Sequence, residues 1–409
     1  MSENKKQQLV PRLRFPEYRA EDGWGSEFGN MIFDQISNKD HNSDLPVLAI
    51  TQEQGAIPRE MIDYHVSVTD KSLESYKVVE VGDFIISLRS FQGGIEFSRY
   101  RGICSPAYVI LRLRHGHSED YFRHYLKTGR FIAQMTKNLE GLRDGKMISY
   151  KQFSELELPI PQRGEQQKIA DCLSSLDDLI AAETDKLDTL KTHKKGLMQQ
   201  LFPSEGETVP RLRFPEFREA GEWKPKTIGN SCESFSGGTP STTNKSFYGG
   251  EIPFIRSAEI DKVKTELFLT NEGLENSAAK LVRAGDILVA LYGANSGDVA
   301  LSKINGAINQ AILCLRHETS DRFVYQYLSH KKEWIIATFI QGGQGNLSGE
   351  IIKAISLFFP NPSEQEHIAD CLSSLDDLIT AQTQKIDALK THKKGLMQQL
   401  FPTLDEVGA

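Results

Sequence analysis

No stretch of this 409-residue chain approaches the roughly 18 apolar residues a membrane helix needs. Its opening, MSENKKQQLVPR, carries charge but no apolar signal core, so the cytoplasm is the expected location. Cysteine is scarce. The five residues Cys104, Cys172, Cys232, Cys314 and Cys371 include no Cys-x-x-Cys pair, which points to reduced, buried thiols instead of disulfides or zinc. His115, His117 and His124 have no cysteine or carboxylate at ligand spacing beside them, so no resident metal is expected. Gly342-Gly343-Gln344-Gly345-Asn346 and Ser236-Gly237-Gly238-Thr239-Pro240 are rich in glycine but lack the Lys-Ser/Thr of a phosphate loop, and read as turns that bring backbone close to something. No serine, cysteine or carboxylate set forms a catalytic constellation. The chain is expected to be neither a catalyst nor the holder of a cofactor.

A general excess of basic charge is missing too, since the net charge is -7 and the pI near 5.9. Taken as an average this argues against a nucleic-acid partner. The average hides a local surplus: from Arg89 to Arg130 stand Arg89, Arg99, Arg101, Arg112, Arg114, Arg123, Lys127 and Arg130 against Glu96, Glu119 and Asp120. Such a run is either a phosphate-binding patch or the solvated face of strands and a helix. With 39% hydrophobic and 25% charged residues, the chain has material for two domains of about 150 residues with connectors.

What the chain does have is repetition. Residues 169–203 return 199 positions later as 368–402, with 30 of 35 identical. At the same offset VPRLRFPEYRAEDGW, from Val10 to Trp24, returns as VPRLRFPEFREAGEW, from Val209 to Trp223. The segments that follow each short repeat share little. Two near-identical frames therefore hold two different inserts.

In the first long repeat Leu173, Leu176, Ile180, Leu187, Leu190, Leu197 and Leu201 follow the alternating three and four spacing of a coiled-coil seam, interrupted by Glu183 and Lys194. The second keeps the register with Leu372, Leu375, Ile379, Ile386, Leu389, Leu396 and Leu400, interrupted by Gln382 and Lys393. Both should be helices of about 55 to 60 Å, stopped by Pro203 and Pro402 and weakened by Gly196 and Gly395 near their ends. The second is expected to open on a Ser363-Glu364-Gln365-Glu366 capping box after Pro362. Each helix is the simplest partner for the other. An antiparallel pair sets Glu183 across from Lys393 and Lys194 across from Gln382, and lays the acidic half with Asp171, Asp177 and Asp178 along the basic half with Lys191, Lys194 and Lys195. A parallel pair would instead face Lys194 with Lys393.

The inserts differ in residues and agree in plan. VVEVGDFIISL (78–88) answers to LVRAGDILVAL (281–291), and GICSPAYVILRLR (102–114) to GAINQAILCLRHE (306–318). A helical stretch follows in each, YFRHYLKTGRFIAQM and RFVYQYLSHKKEWIIATF, then a glycine turn and a strand ending in proline. The expected class is α+β: two globular domains joined by two long helices in an antiparallel coiled coil, with pseudo-twofold symmetry. Its divisions are expected at 1–163, first domain with the N-terminal repeat; 164–204, first helix; 205–362, second domain; and 363–409, second helix and tail. Ser105-Pro106-Ala107-Tyr108 lacks the second proline of the loop amino-methyltransferases carry, and Asn309-Gln310-Ala311-Ile312 lacks both proline and aromatic. The loop tips instead offer hydrogen-bonding side chains suited to base edges and phosphates. In the first insert these are Ser87, Arg89, Ser90, Gln92, Arg99, Arg101, Arg143 and Lys146. In the second they are Thr239, Ser241, Thr242, Asn244, Lys245, Tyr248, Arg256, Tyr292, Asn295, Ser296, Lys303, Asn309, Gln344 and Asn346.

Several local motifs together, HKKGLMQQLFP at both helix ends, PIPQRGEQQKIADCLSSLDDLI, the VPRLRFPEF openings and SGGTPSTTN followed by YGGEIPFI, resemble the specificity subunit of type I restriction-modification enzymes, over essentially the whole chain. The resemblance implies that each variable domain reads one half of a split duplex DNA target. It implies that the paired helices set the spacer, about 10 to 17 base pairs centre to centre at 3.4 Å each. It also implies two docked adenine methyltransferase (modification) subunits and two ATP-dependent translocase-nuclease (restriction) subunits, with S-adenosylmethionine, ATP and Mg belonging to those partners. The rival expectation, favoured by the acidic net charge, is a structural hub that scaffolds proteins and never touches DNA.

Overall fold

The computed structural model describes residues 9–42, 44–62, 73–87, 94–137, 149–340 and 346–402, which form two compact units. Unit 1 runs to Thr184 and resumes at Lys385; unit 2 is Asp185–Gln384. Each unit holds one insert and one stretch of each long helix.

Unit 1 contains β1 (Gly25–Phe28), β2 (Phe33–Ile36), β3 (Leu48–Thr51), β4 (Gly55–Pro58), β5 (Lys77–Val79), β6 (Phe84–Ile86), β7 (Glu96–Phe97), β8 (Gly102–Cys104), β9 (Val109–Leu113) and β10 (Glu157–Ile160). Its main sheet is antiparallel in the order β2-β9-β6-β7, while β1 pairs with β10, β3 with β4 and β5 with β8. Unit 2 contains β11 (Lys224–Thr227), β12 (Cys232–Ser236), β13 (Tyr248–Ile255), β14 (Leu267–Leu269), β15 (Lys280–Val282), β16 (Ile287–Ala290), β17 (Val299–Leu301), β18 (Gly306–Ile308), β19 (Ile312–His317) and β20 (Ser356–Phe359). Here β12-β19-β16-β17 repeats the main sheet, β11 pairs with β20, and β14-β13-β18-β15 forms a second sheet. Strands and helices are mixed in each unit, as the α+β expectation requires.

The shared Gly-Asp motif explains why the plan survives divergence. Gly82 and Gly285 adopt φ of 95° and 98°, a region that side chains avoid. The following Asp83 and Asp286 are buried, and each accepts a backbone N–H from three residues back, Glu80 or Arg283, at 2.8 Å. Each carboxylate is then gripped by two guanidinium bonds from the last central strand. Arg112 holds Asp83 at 2.8 and 2.8 Å, and Arg316 holds Asp286 at 3.0 and 2.8 Å. Around the sheets lie separate apolar cores. In unit 1 Phe33 meets Phe84, Phe122 and Phe153 edge-on, at 5.3, 5.1 and 5.5 Å between ring centres.

The long helices span Arg163–Leu201 and Pro362–Leu400, and both run unbroken through their late glycines. Helix hydrogen bonding along the rest of the turn tolerates Gly196 and Gly395, because a single glycine costs only about 1 kcal/mol. The expected capping box does not form. Pro362 occupies the first turn and Asn361 Oδ1 accepts the Glu364 N–H at 3.0 Å, which frees the Glu364 side chain. That side chain explains the short repeat: Arg213 clasps it with two bonds of 2.7 Å, and in unit 1 Arg14 clasps Glu165 with two of 2.8 Å. Leu13 and Leu212 N–H groups donate to Gln399 and Gln200 carbonyls, tying each short repeat to a helix end in its own unit.

Within each unit the helix stretches run antiparallel. Asp177 pairs with Lys393 and Glu183 with Lys385 in unit 1; Lys194 pairs with Asp376 in unit 2 at 2.6 Å. Glu183 is paired with Lys385 and Lys194 with Asp376, where the heptad spacing had set Lys393 and Gln382 across from them. Burial of the helix ends fixes the register. Leu400 and Phe401 enter the unit 1 core beside Ile169 and Leu173, and Leu201 and Phe202 enter the unit 2 core beside Ile368 and Leu372. Several buried side chains at about 1.5–3 kcal/mol each outweigh partly exposed ion pairs, which then form where the register leaves them. The five thiols are free; Cys104, Cys232 and Cys314 are buried, whereas Cys172 and Cys371 are only half-buried on the helices.

Candidate nucleic-acid interface

In unit 2, backbone bonds draw four segments to one end of the sheets. The Gly237 N–H donates to the Asn309 carbonyl at 3.2 Å, Leu291 to Ala311 at 2.8 Å, and Leu347 to Leu291 at 2.9 Å. The chain after β12, the turn before β19, the turn after β16 and the segment at 346–347 thus share one surface. Its glycines are forced by close approach, since a Cβ on Gly237 would stand 1.8 Å from the Ile308 carbonyl oxygen. On this surface Thr239, Ser241, Thr242, Asn244, Lys245, Tyr292 and Asn346 are exposed, and Asn295 and Ser296 half-exposed. Thr239 Oγ1 donates to Gln310 Oε1 at 2.8 Å. Gln310 is the residue sequence reasoning passed over, although it sits beside Asn309 in the same turn.

Several selected side chains are occupied by the protein itself. Tyr248 donates its hydroxyl to the Pro240 carbonyl at 2.7 Å, and Ser296 donates to Leu291 at 2.8 Å. Asn295 donates to Asp298 at 2.9 Å. Burial pushes the Asp298 carboxyl up, but the bonds from Lys332 and Asn295 and the Lys332 charge outweigh it and leave its pKa lowered. Parallel pairing of β13 with β18 sets Arg256 beside Asn309 at the same end, yet its guanidinium binds Glu259 at 3.0 Å and Glu266 at 2.6 Å. Those two carboxylates hold its pKa further above the ordinary arginine value. Lys303 stands apart, after β17, at the end of the main sheet opposite the turn at Leu291.

In unit 1, Arg99 follows buried Ser98 as Lys303 follows buried Ser302, so these two selected residues hold equivalent, exposed places. Arg101 pairs with Glu80 at 3.2 Å. Arg89, Ser90, Gln92, Arg143, Lys146 and, in unit 2, Gln344 lie outside the described residues. The basic run is largely neutralised: besides Arg101, Arg112 binds Asp83, Arg114 binds Asp34, Arg123 binds Asp120 and Lys127 binds Glu96. Lys77 was passed over; its ammonium donates to the Tyr108 carbonyl at 2.7 Å beside the 105–108 turn, and burial lowers its pKa. His124 packs at 3.3 Å from Ser174 Oγ, and burial followed by Lys393, Arg123 and Arg99 lowers its pKa to about 3. A neutral, buried imidazole there is part of the packing against the long helix.

No helix among the described residues is long and apolar enough to cross a membrane, and none of their His, Cys, Asp and Glu side chains gather into a metal-binding group. The fold is shared with a crystal structure of a type I restriction-modification system S subunit from M. genitalium, at a TM-score of 0.62 and 15% identity, covering 97% of this chain and 100% of that one. In sequence the chain is 24% identical over 362 residues to the type I restriction enzyme MjaVIII specificity subunit of Methanocaldococcus jannaschii, 82% of this chain and 81% of that protein. It is 23% identical over 298 residues to the HindI specificity subunit of Haemophilus influenzae, 56% and 61% of the two chains. The family model described as the type I restriction modification DNA specificity domain matches residues 29–192 and again 220–391. Two copies of that domain take in most of the chain, and the protein belongs to this family as a type I specificity subunit with two target-recognition domains.

Proposed function

We propose that each recognition domain of this subunit reads one half of an asymmetric, bipartite duplex DNA target. The observation that carries this is the contrast between identical mounts and dissimilar reading ends. The Arg14–Glu165 and Arg213–Glu364 clasps are repeat-equivalent, whereas Thr239, Gln310, Tyr292 and Asn346 have no like residues in the first insert. Thr239, Ser241, Thr242, Asn244, Lys245, Tyr292 and Asn346 are assigned to DNA contact in the second domain, with Tyr248, Arg256, Asn295 and Ser296 shaping the loops; Lys303, at the other end of the main sheet, is assigned to phosphate outside that surface. In the first, Arg99 and Arg101 are assigned to phosphate, and Arg89, Ser90, Gln92, Arg143 and Lys146 remain assigned from sequence. Gln344 joins the second group on the same ground.

The long helices act as a ruler, paired antiparallel along their length under a pseudo-twofold axis. Support comes from the pairs Asp177–Lys393 and Lys194–Asp376, which exchange under the 199-residue repeat. Identical frames favour identical partners, hence two adenine methyltransferase subunits, with two translocase-nuclease subunits joining that core. Catalysis, S-adenosylmethionine, ATP and Mg belong to those subunits, and the assembly works in the cytoplasm. Domain divisions fall at 1–163, 164–204, 205–362 and 363–409. The family match favours DNA reading over a pure scaffold.

Single-molecule methylation sequencing of DNA from cells expressing the chain with a methyltransferase partner tests the reading. A split motif methylated on adenine in both halves, lost without this chain, is expected. Exchanging residues 25–160 for another recognition domain should change one half only, and a change in both would refute independent reading.

A further inference from the structure

Gln310 stands at the tip of a β-turn in which the Ile312 N–H donates to the Asn309 carbonyl at 3.4 Å and the Ala311 N–H to Asn309 Oδ1 at 3.0 Å. The first insert builds the same turn, with the Tyr108 N–H donating to the Ser105 carbonyl at 3.1 Å and the Ala107 N–H to Ser105 Oγ at 3.4 Å. Its tip residue is Pro106, whose side chain forms no hydrogen bonds. Both tips are exposed. The turn is therefore shared, and the amide at its tip belongs to the second domain alone.

Gln310 is held from three sides. The carbonyl before it accepts the Gly237 N–H at 3.2 Å, the carbonyl after it accepts the Leu291 N–H at 2.8 Å, and its own Oε1 accepts the Thr239 hydroxyl at 2.8 Å. The last bond sets the rotation of the amide, because the hydroxyl proton engages the oxygen and Nε2 turns the other way. Among the described residues Nε2 donates to no acceptor. Thr239 has committed its one proton to Gln310, so what it offers to DNA is an acceptor. A glutamine fixed in this way presents N–H donors beside the second lone pair of Oε1, the complement of N7 and the N6 amino group of adenine in the major groove.

We infer that Gln310 is a specificity-determining residue of the second recognition domain, reading the adenine of one A·T pair through its amide, with Thr239 as the positioning residue that decides which end of the amide faces the base. The assignment rests on the reading of half-sites proposed above and adds to it the residue and the base. Preorganisation supports it, since a side chain already held by a neighbour loses little freedom on meeting a base edge. The first domain, with Pro106 in the same place, has no such contact, so the effect is confined to one half-site.

The test is methylation sequencing of DNA from cells carrying the full chain with its methyltransferase partner, scored position by position. A wild type that yields no split motif would refute DNA reading and this inference together; with the wild-type motif in hand, the variants bear on Gln310 alone. Gln310→Pro, which copies the turn of the first insert, should relax one A·T position of one half-site, its discrimination falling on the order of ten- to a hundredfold. Gln310→Glu keeps an acceptor for Thr239 but turns an oxygen outward, so the same position should move from adenine towards cytosine, whose N4 is a donor. Being isosteric, it also decides the matter where Gln310→Pro abolishes methylation altogether. Thr239→Val should relax that position too, and Thr239→Ser, which retains the hydroxyl, should restore it. An unchanged motif in Gln310→Pro, adenine retained in Gln310→Glu, a different position altered by Thr239→Val, or a change in the other half-site would each overturn the inference.

Discussion

Replacing Arg14 by Ala should destabilise unit 1 far more than its place in a short surface repeat suggests. The guanidinium side chain is 6% exposed and the Glu165 carboxylate it holds is 1% exposed. Both oxygens of Glu165 are engaged at 2.8 Å, and Arg14 also donates to the carbonyls of Glu21 at 2.8 Å and Asp22 at 3.0 Å. Removing one partner of a buried pair leaves the other charge desolvated, at a cost of about 3–5 kcal/mol. In a unit of this size that corresponds to a fall of roughly 6–20 °C in Tm, at about 2–4 °C per kcal/mol. Lys168→Ala is the control, because Lys168 and Glu17 are half exposed and such pairs contribute below about 1 kcal/mol. A combined Arg14→Met and Glu165→Leu change should recover most of the loss, since apolar replacement removes both buried charges at once. Differential scanning calorimetry with urea titration would measure all three. If Arg14→Ala cost no more than Lys168→Ala, the clasp would not be what holds the short repeat to the helix.

Arg213→Ala should match Arg14→Ala, because Glu364 is equally buried and held at 2.7 Å; a cost smaller by half, read in the same calorimetry, would contradict equivalence of the mounts. The Asp286 carboxyl is pushed up by burial but pulled further down by Arg316 and the Arg283 N–H, so its folded pKa is lowered. Its contribution is therefore present above the ordinary carboxylate pKa and lost as pH falls through the depressed value; Arg316→Gln should flatten unit 2 stability between about pH 5 and 2, and an unchanged acid profile would count against it. Lys194→Glu should cost about 1 kcal/mol by placing like charges together, and adding Asp376→Lys should restore it in a double-mutant cycle. Gly237→Ala should cost at least about 2 kcal/mol by clash with Ile308 and should relax recognition of one half-site, seen as a degraded half-motif in methylation sequencing.

The sequence by itself determined the duplicated frame, the heptad seams, the plan shared by the inserts and the family. These are periodic or repeated signals, carried by many residues at once, so no single contact decides them. Helix direction was legible for the same reason, because the acidic and basic halves are long. Register was not: it depends on where Phe202 and Phe401 find buried sites, which no spacing in the helix encodes. Nor could the sequence tell a reading arginine from a structural one. Arg112 and Arg316 look like surface cations until the turn at Gly82 and Gly285 aims Asp83 and Asp286 at them, and Arg256 looks free until Glu259 and Glu266 fold against it. Gln310 was overlooked because its value lies in being next to Thr239, 71 residues away. Long-range proximity decides which polar groups the protein itself already satisfies, and only the tertiary structure fixes that proximity.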